Sequence, residues 1–249
     1  MISFSEFLKE ASGDCEAWFQ DKLFSGKKGK FQVDMGPEEN TAVENNIVDM
    51  LDDFVHGDTM NGGKQTKELD KLLQCRGYFE NWLTPKAKHL LRGTEMESEQ
   101  LITIMKGNPN PPIKQLPGIK GMNYFVYESS YTPKSKMQSW TTTPVVAAYF
   151  SQGQPYFGGP ETGYVISINN SIKGFARRLA QRAQRVPVIH VAKTDKSFFG
   201  SKKFGNKISK QVIRGEQDEV YRIGSTIKTK IYVPEPLNEV LWDKIEGKI

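Results

Sequence analysis

Cysteine and histidine are scarce in this chain, at two and three in 249 residues. Cys15 and Cys75 are too few for a disulfide framework and lack the paired spacing of a zinc site, so they read as reduced thiols in a cytosol-like compartment. His56, His89 and His190 are scattered, and no metal is expected. No apolar run reaches the about 20 residues that cross a bilayer, so no membrane partner is expected. Internal repeats and low-complexity tracts are absent as well.

What is present is an ordinary globular balance. Hydrophobic residues make up 37% and charged residues 25% of the chain, enough apolar surface to offset chain entropy over one core, or over one domain with a smaller lobe. The net charge is +5. Lys193, Lys196, Lys202, Lys203, Lys207 and Lys210 fall in one Gly- and Phe-containing stretch. Such a run is most simply a solvated loop; read functionally, it attracts nucleic acid or an acidic protein.

The texture of the chain changes once. Up to about residue 84, apolar residues recur at helical spacing, as in Val43, Ile47, Met50, Leu51 and Phe54, which predicts a helical N-terminal lobe over 11–84. From 85 to 249 the runs are short, β-branched or aromatic, and bounded by Gly, Pro and Asn: "HLLRG", "YFVYESSY", "MQSWT", "GYVISIN", "VPVIHV", "KQVIR", "DEVYRI" and "TIKTKIYV". Thr143 and Pro144 open a helix in "TTPVVAAYFS", and "GFARRLAQRAQR" is a basic amphipathic helix between two strands. Strand and helix do not alternate regularly, so the expected class is α+β with a mainly antiparallel sheet.

Three short motifs carry chemistry. "LLRGTE" places Arg92 and Gly93 on a strand, "QSWTTTPVVAAYF" runs a strand with Ser139 and Thr141 into a capped helix, and "RGEQDEVYRIG" crowds Gln217 and Glu219 ahead of an apolar alternation. Alternation points Gln217 and Glu219 to one face and sends Glu216 and Asp218 to the other, which assigns those two no catalytic part. Each motif alone is most often a surface charge, a cross-strand hydrogen bond or a turn.

In order and spacing, the three resemble the Arg, Ser-x-Ser/Thr and Gln/Glu-x-Glu motifs of the Arg-Ser-Glu class of mono-ADP-ribosyltransferases, the cholera-toxin-like and Rho-exoenzyme-like branch. The resemblance covers roughly residues 85 to 235. Trp140 and Thr141 stand where the middle motif usually reads Thr-Ser, and the first Ser is kept as Ser139. It implies a split antiparallel sheet and NAD as ADP-ribose donor. It implies Glu219 as the carboxylate facing the oxocarbenium-like centre and Gln217 as the group holding the nucleophile. It also implies Ser139 as the residue orienting Glu219, with Arg92 on the NAD phosphates and Gly93 allowing close approach. Trp140, Thr141 and, in the loop "QGQPYFGGPETG", Tyr156 and Phe157 would line the NAD site. The stretch "KTDKSFFGSKKFGNKISK" would read the target through Phe198, Phe199, Lys202 and Lys203.

Gln217, an amide rather than a carboxylate, favours a nucleobase or an Asn/Gln side chain over arginine as acceptor. Residues 1–10, "MISFSEFLKE", resemble the capsid-targeting peptides of T-even-like phage head proteins, cut by a prohead protease after a Leu/Ile-x-Glu tripeptide, here Leu8, Lys9 and Glu10. That resemblance implies an effector carried in the virion head and released into the host cytoplasm, acting on host nucleic acid or protein; the chain is expected to be a monomer. The rival expectations are a non-enzymatic DNA-binding internal head protein that kept the fold, and an NAD glycohydrolase with water as nucleophile.

Overall fold

The computed structural model describes residues 15, 71, 74, 87–133, 137–153, 161–182, 184–195, 197–199 and 219–249. Residues 1–10, with the expected cleavage tripeptide, the "KQVIR" run and nearly all of the N-terminal lobe lie outside the described residues. The chain divides into two units, Met1–Thr84 and Pro85–Ile249. In the first, Cys15, Lys71 and Gln74 are helical, and Cys15 is buried and disulfide-bonded. The disulfide corrects the reduced-thiol expectation. Whether cysteines far apart in sequence meet is decided by tertiary packing, which their spacing does not reveal.

The second unit is α+β. Its described elements are β1 (His89–Glu97), α1 (Ser98–Lys106), β2 (Ile113–Gln115), β3 (Asn123–Tyr131), β4 (Met137–Thr141), α2 (Pro144–Phe150), α3 (Glu161–Gln181), β5 (Arg185–Lys193), β6 (Phe198–Phe199), β7 (Glu219–Ile223), β8 (Ile227–Pro234) and α4 (Glu235–Ile245). The eight strands form one sheet in the order β2-β3-β8-β5-β1-β4-β7-β6, and every pairing is antiparallel.

The sheet is unevenly knit. β1 and β5 share nine register pairs and β4 and β7 share five, whereas β1 and β4 meet at one pair, Leu91 with Thr141. Two blocks, β2-β3-β8-β5-β1 and β4-β7-β6, therefore join at a short junction.

Burial explains the main block. Val186, Val188, Ile189 and His190 of β5 are all buried, and because neighbouring strand residues face opposite ways, the sheet is covered on both sides there. α4 docks by burying Leu237 and Leu241 completely, about 1.5–3 kcal/mol for each such side chain. The Tyr127 hydroxyl fixes its position, donating to Asn238 Oδ1 at 2.6 Å in the interior.

The segment "GYVISIN", expected as a strand, lies inside α3. Its β-branched residues suggest a strand, but Val165, Ile168, Ile172, Phe175 and Leu179 recur at three and four. Ile168, Ile172 and Leu179 are buried while Ile166 is exposed, so helical period outweighs local propensity. α2 begins where Thr143 and Pro144 predict. The Thr143 side chain makes no cap bond; instead Thr141 Oγ1 accepts from the Thr143 N–H at 3.0 Å.

Candidate functional site

The three motifs, far apart in sequence, occupy neighbouring strands. β1 carries Arg92 and Gly93, β4 carries Ser139 and Thr141, and β7 begins at Glu219. Their register forms one row across the junction: Leu91 pairs with Thr141, and Thr141 with Glu219. Ser139 pairs with Tyr221 in the same ladder.

Arg92 ties the blocks together. Its Nε–H donates to the Tyr131 hydroxyl at 2.9 Å, its Nη1 donates to the backbone carbonyl of Ser139, and its guanidinium lies 5.5 Å from the Tyr131 ring centre. Arg92 thus meets Ser139 through the main chain. Tyr131 also stands edge-on to Trp140 at 5.8 Å, which puts Arg92 on the Trp140 side of β4; Ser139 and Thr141, the neighbours of Trp140, belong by alternation to the other side.

Gly93 proves necessary for packing. A Cβ on Gly93 would lie 1.8 Å from the Ala147 carbonyl oxygen and 2.5 Å from the Ser151 nitrogen, so α2 rests directly on the β1 backbone. Close approach at Gly93 is real, and the group that approaches is a helix of the same chain. This corrects the expectation that its open face serves a cofactor.

Two further expectations are corrected by burial. Trp140 is 1% exposed and Phe198 is fully buried, and the two stack edge to face at 5.4 Å in a small core with Leu90, Ala192 and Val220. An aromatic residue committed to a core has no face left for a cofactor or a target. Of the neighbouring residues, Thr141 is buried and bonded to the α2 entrance, and Phe199 lies in β6, paired with Tyr221. Gln217, Tyr156, Phe157, Lys202 and Lys203 lie outside the described residues.

The Trp140 side holds polar groups that the sequence does not single out. Arg222 is buried, donating to Gln138 Oε1 at 2.9 Å and to the Ser225 carbonyl at 2.8 Å, with its charge 5.8 Å from the Phe198 ring centre. His190, 2% exposed, sits 4.9 Å from Tyr131 and within hydrogen-bond distance of Thr229 Oγ1, at 3.1 Å. Burial, with the Arg92 charge nearby, pushes the His190 pKa down to about 4. Unfolded, this imidazole would titrate near 6.5, so the unfolded chain binds the extra proton first as pH falls. Stability from His190 is therefore full above about pH 6.5 and is lost progressively toward pH 4, on the order of 3 kcal/mol in total. Urea midpoints measured from pH 7 to pH 4.5 should fall more steeply for the native chain than for His190→Gln.

On the Leu91 side a cleft of about 670 Å³ opens beside the junction, lined by His89, Leu91, Thr142, Pro144 and residues of β2, β3, β5 and β8. Four lysines line it: Lys114, Lys193, Lys228 and Lys230. Two of them are legible in "TIKTKIYV", where period-2 alternation puts Lys228, Lys230 and Tyr232 on one face. Comparison with protein-family models, with curated proteins and with solved structures finds no match to this chain.

Proposed function

We propose that the chain is an NAD-dependent mono-ADP-ribosyltransferase of the Arg-Ser-Glu type, transferring ADP-ribose to a nucleic-acid base or an Asn/Gln side chain. One observation carries this reading: the three motifs, read separately from the sequence, lie on adjacent strands at the one-pair junction of a divided antiparallel sheet.

In this reading NAD is the substrate that supplies ADP-ribose. Arg92 spends two of its five N–H donors on Tyr131 and Ser139, and the strand register puts it on the sheet face opposite Glu219, so its part in this reading is to brace the junction beneath the site rather than to hold the pyrophosphate. The bond between nicotinamide nitrogen and ribose C1′ breaks with its electron pair going to nicotinamide. Positive charge then builds on the ribose, and the Glu219 carboxylate stabilises it there. The acceptor nitrogen forms the new bond to C1′ and gives up its proton to water. Gln217, an uncharged amide, exchanges a donor and an acceptor with the incoming amide or base edge.

Labelled NAD incubated with the chain and host lysate, followed by separate nuclease and protease digestion, tests the proposal. Label is expected on nucleic acid or on Asn/Gln. Free nicotinamide and ADP-ribose with no labelled macromolecule would make the chain a glycohydrolase. Label freed by neutral hydroxylamine would place it on arginine or on a carboxylate and overturn the acceptor assignment.

A further inference from the structure

The lysine-lined cleft has a chemistry that the motif residues do not account for. Its side chains come from five successive strands of the main block, β2-β3-β8-β5-β1. Lys114, Lys193, Lys228 and Lys230 are exposed, whereas Leu91 and Tyr232 beneath them are buried to within 7% and 8%. Alternation along β8 sets Lys228, Lys230 and Tyr232 on one face, and along β5 it does the same for Val191 and Lys193. The cleft therefore has a cationic rim over an apolar floor, whose accessible surface comes from Val191 and Pro117.

Among the described residues its charge is unbalanced. The lining carboxylate, Glu128, is already paired with Lys230 at 2.9 Å, and no ion pair among the described residues engages Lys114, Lys193 or Lys228. Like charges gathered around a concavity repel one another unless an anion joins them. The rim rules out a metal cation, and the floor is wasted on a small inorganic anion. A nucleotide unit satisfies both, with phosphate at the lysines and the flat base on the floor. The volume lies within the roughly 300–1,000 Å³ of small-ligand sites, enough for unpaired nucleotides, whose bases, unlike those of a duplex, are free to reach the floor. Lysines, as point charges on flexible stems, hold phosphates without reading sequence.

We propose that this cleft binds single-stranded nucleic acid, Lys114, Lys193 and Lys228 contacting successive phosphates while a base rests against Val191 and Pro117. Thr142 in its wall directly follows Thr141, the residue in register with Glu219, and Pro144 begins α2 just beyond, so a strand held here is delivered toward the junction. Calling that strand the acceptor rests on the transferase reading; the binding itself does not.

The test is fluorescence anisotropy of a labelled oligodeoxythymidylate of about ten nucleotides, within the span of known single-strand sites, titrated with the full chain. The comparison is between the double variant Lys193→Glu/Lys228→Glu and Lys106→Glu/Lys173→Glu, which makes the same charge change on exposed positions of α1 and α3. The cleft variant is expected to bind at least tenfold more weakly. The slope of log affinity against log salt should be shallower by about 1.4, at about 0.7 per lost phosphate contact. The helix variant should stay within about twofold of the native chain, the effect of a distant charge largely screened by salt. Equal losses in the two variants, no binding by the native chain, duplex bound as tightly, or displacement of the oligonucleotide by NAD would each overturn the proposal. Strand binding that depends on the cleft lysines, in a chain that transfers no label from NAD, would uphold the cleft and sink the transferase reading instead.

Discussion

Glu219→Gln is expected to lower ADP-ribose transfer by about a hundredfold to a thousandfold, the usual cost of removing one group that stabilises charge developing in the transition state. Gln keeps the size and polarity of the side chain and removes only its charge. The ribose of bound NAD is neutral in the ground state, so NAD affinity should change little while kcat falls. The β4–β7 ladder pairs Glu219 with Thr141 through the main chain, so the substitution leaves the sheet intact and the thermal midpoint should stay close to that of the native chain. Turnover of labelled NAD measured alongside NAD binding checks both halves. Undiminished turnover would remove Glu219 from the chemistry and the transferase reading with it.

The antiparallel class and most strands were legible because β-branched and aromatic runs bounded by Gly, Pro and Asn report local preference, and local preference agrees with the sheet in β1, β3, β5 and β8. Local preference failed in "GYVISIN", where the helical period continues through Ile168, Ile172 and Leu179. α1 and α4 are less legible because each is short and follows its strand with no intervening loop, with Glu97 and Pro234, residues that offer no side-chain cap bond, in the N-cap positions.

The candidate site divides along the same line. Residue types and order pointed to Arg92, Ser139 and Glu219, and their strands are neighbours. Side-chain surroundings were not legible. A Phe among lysines looks like a recognition loop, yet Phe198 fills a core against Trp140, and the partners of Arg92, namely Tyr131 and the Ser139 carbonyl, come from strands whose pairing only the fold sets. The cleft itself was not legible for a related reason, although Lys193 opens the basic run and Lys228 and Lys230 alternate in "TIKTKIYV". Lys114, Lys193 and Lys228 are spread over more than a hundred residues and are gathered only by the strand order.

Gly93→Ala is expected to destabilise the second unit severely, by more than the about 1–3 kcal/mol typical of overpacking. The new methyl carbon would lie 1.8 Å from the Ala147 carbonyl oxygen and 2.5 Å from the Ser151 nitrogen. Those two atoms are the acceptor and donor of a hydrogen bond of 3.0 Å that closes the last turn of α2. Both are backbone, so no rotamer change relieves the clash; the helix must lift from β1 or lose its final turn. Lifting α2 uncovers Val145, Val146, Ala147 and Ala148, all buried, and pulls on Thr141, whose side chain holds the helix entrance. Activity should therefore fall together with stability. Gly174→Ala supplies the opposite sign within the same unit. Its Cβ would meet only the end of the Arg178 side chain at 3.6 Å, an ordinary contact, and it lies inside α3, where Ala is favoured over Gly by about 0.5–1 kcal/mol. Thermal melts should then show Gly174→Ala slightly above the native chain and Gly93→Ala far below it. Equal midpoints for the native chain and Gly93→Ala would mean that α2 does not rest on β1 as the structure has it, and the β1–β4 junction would have to be redrawn.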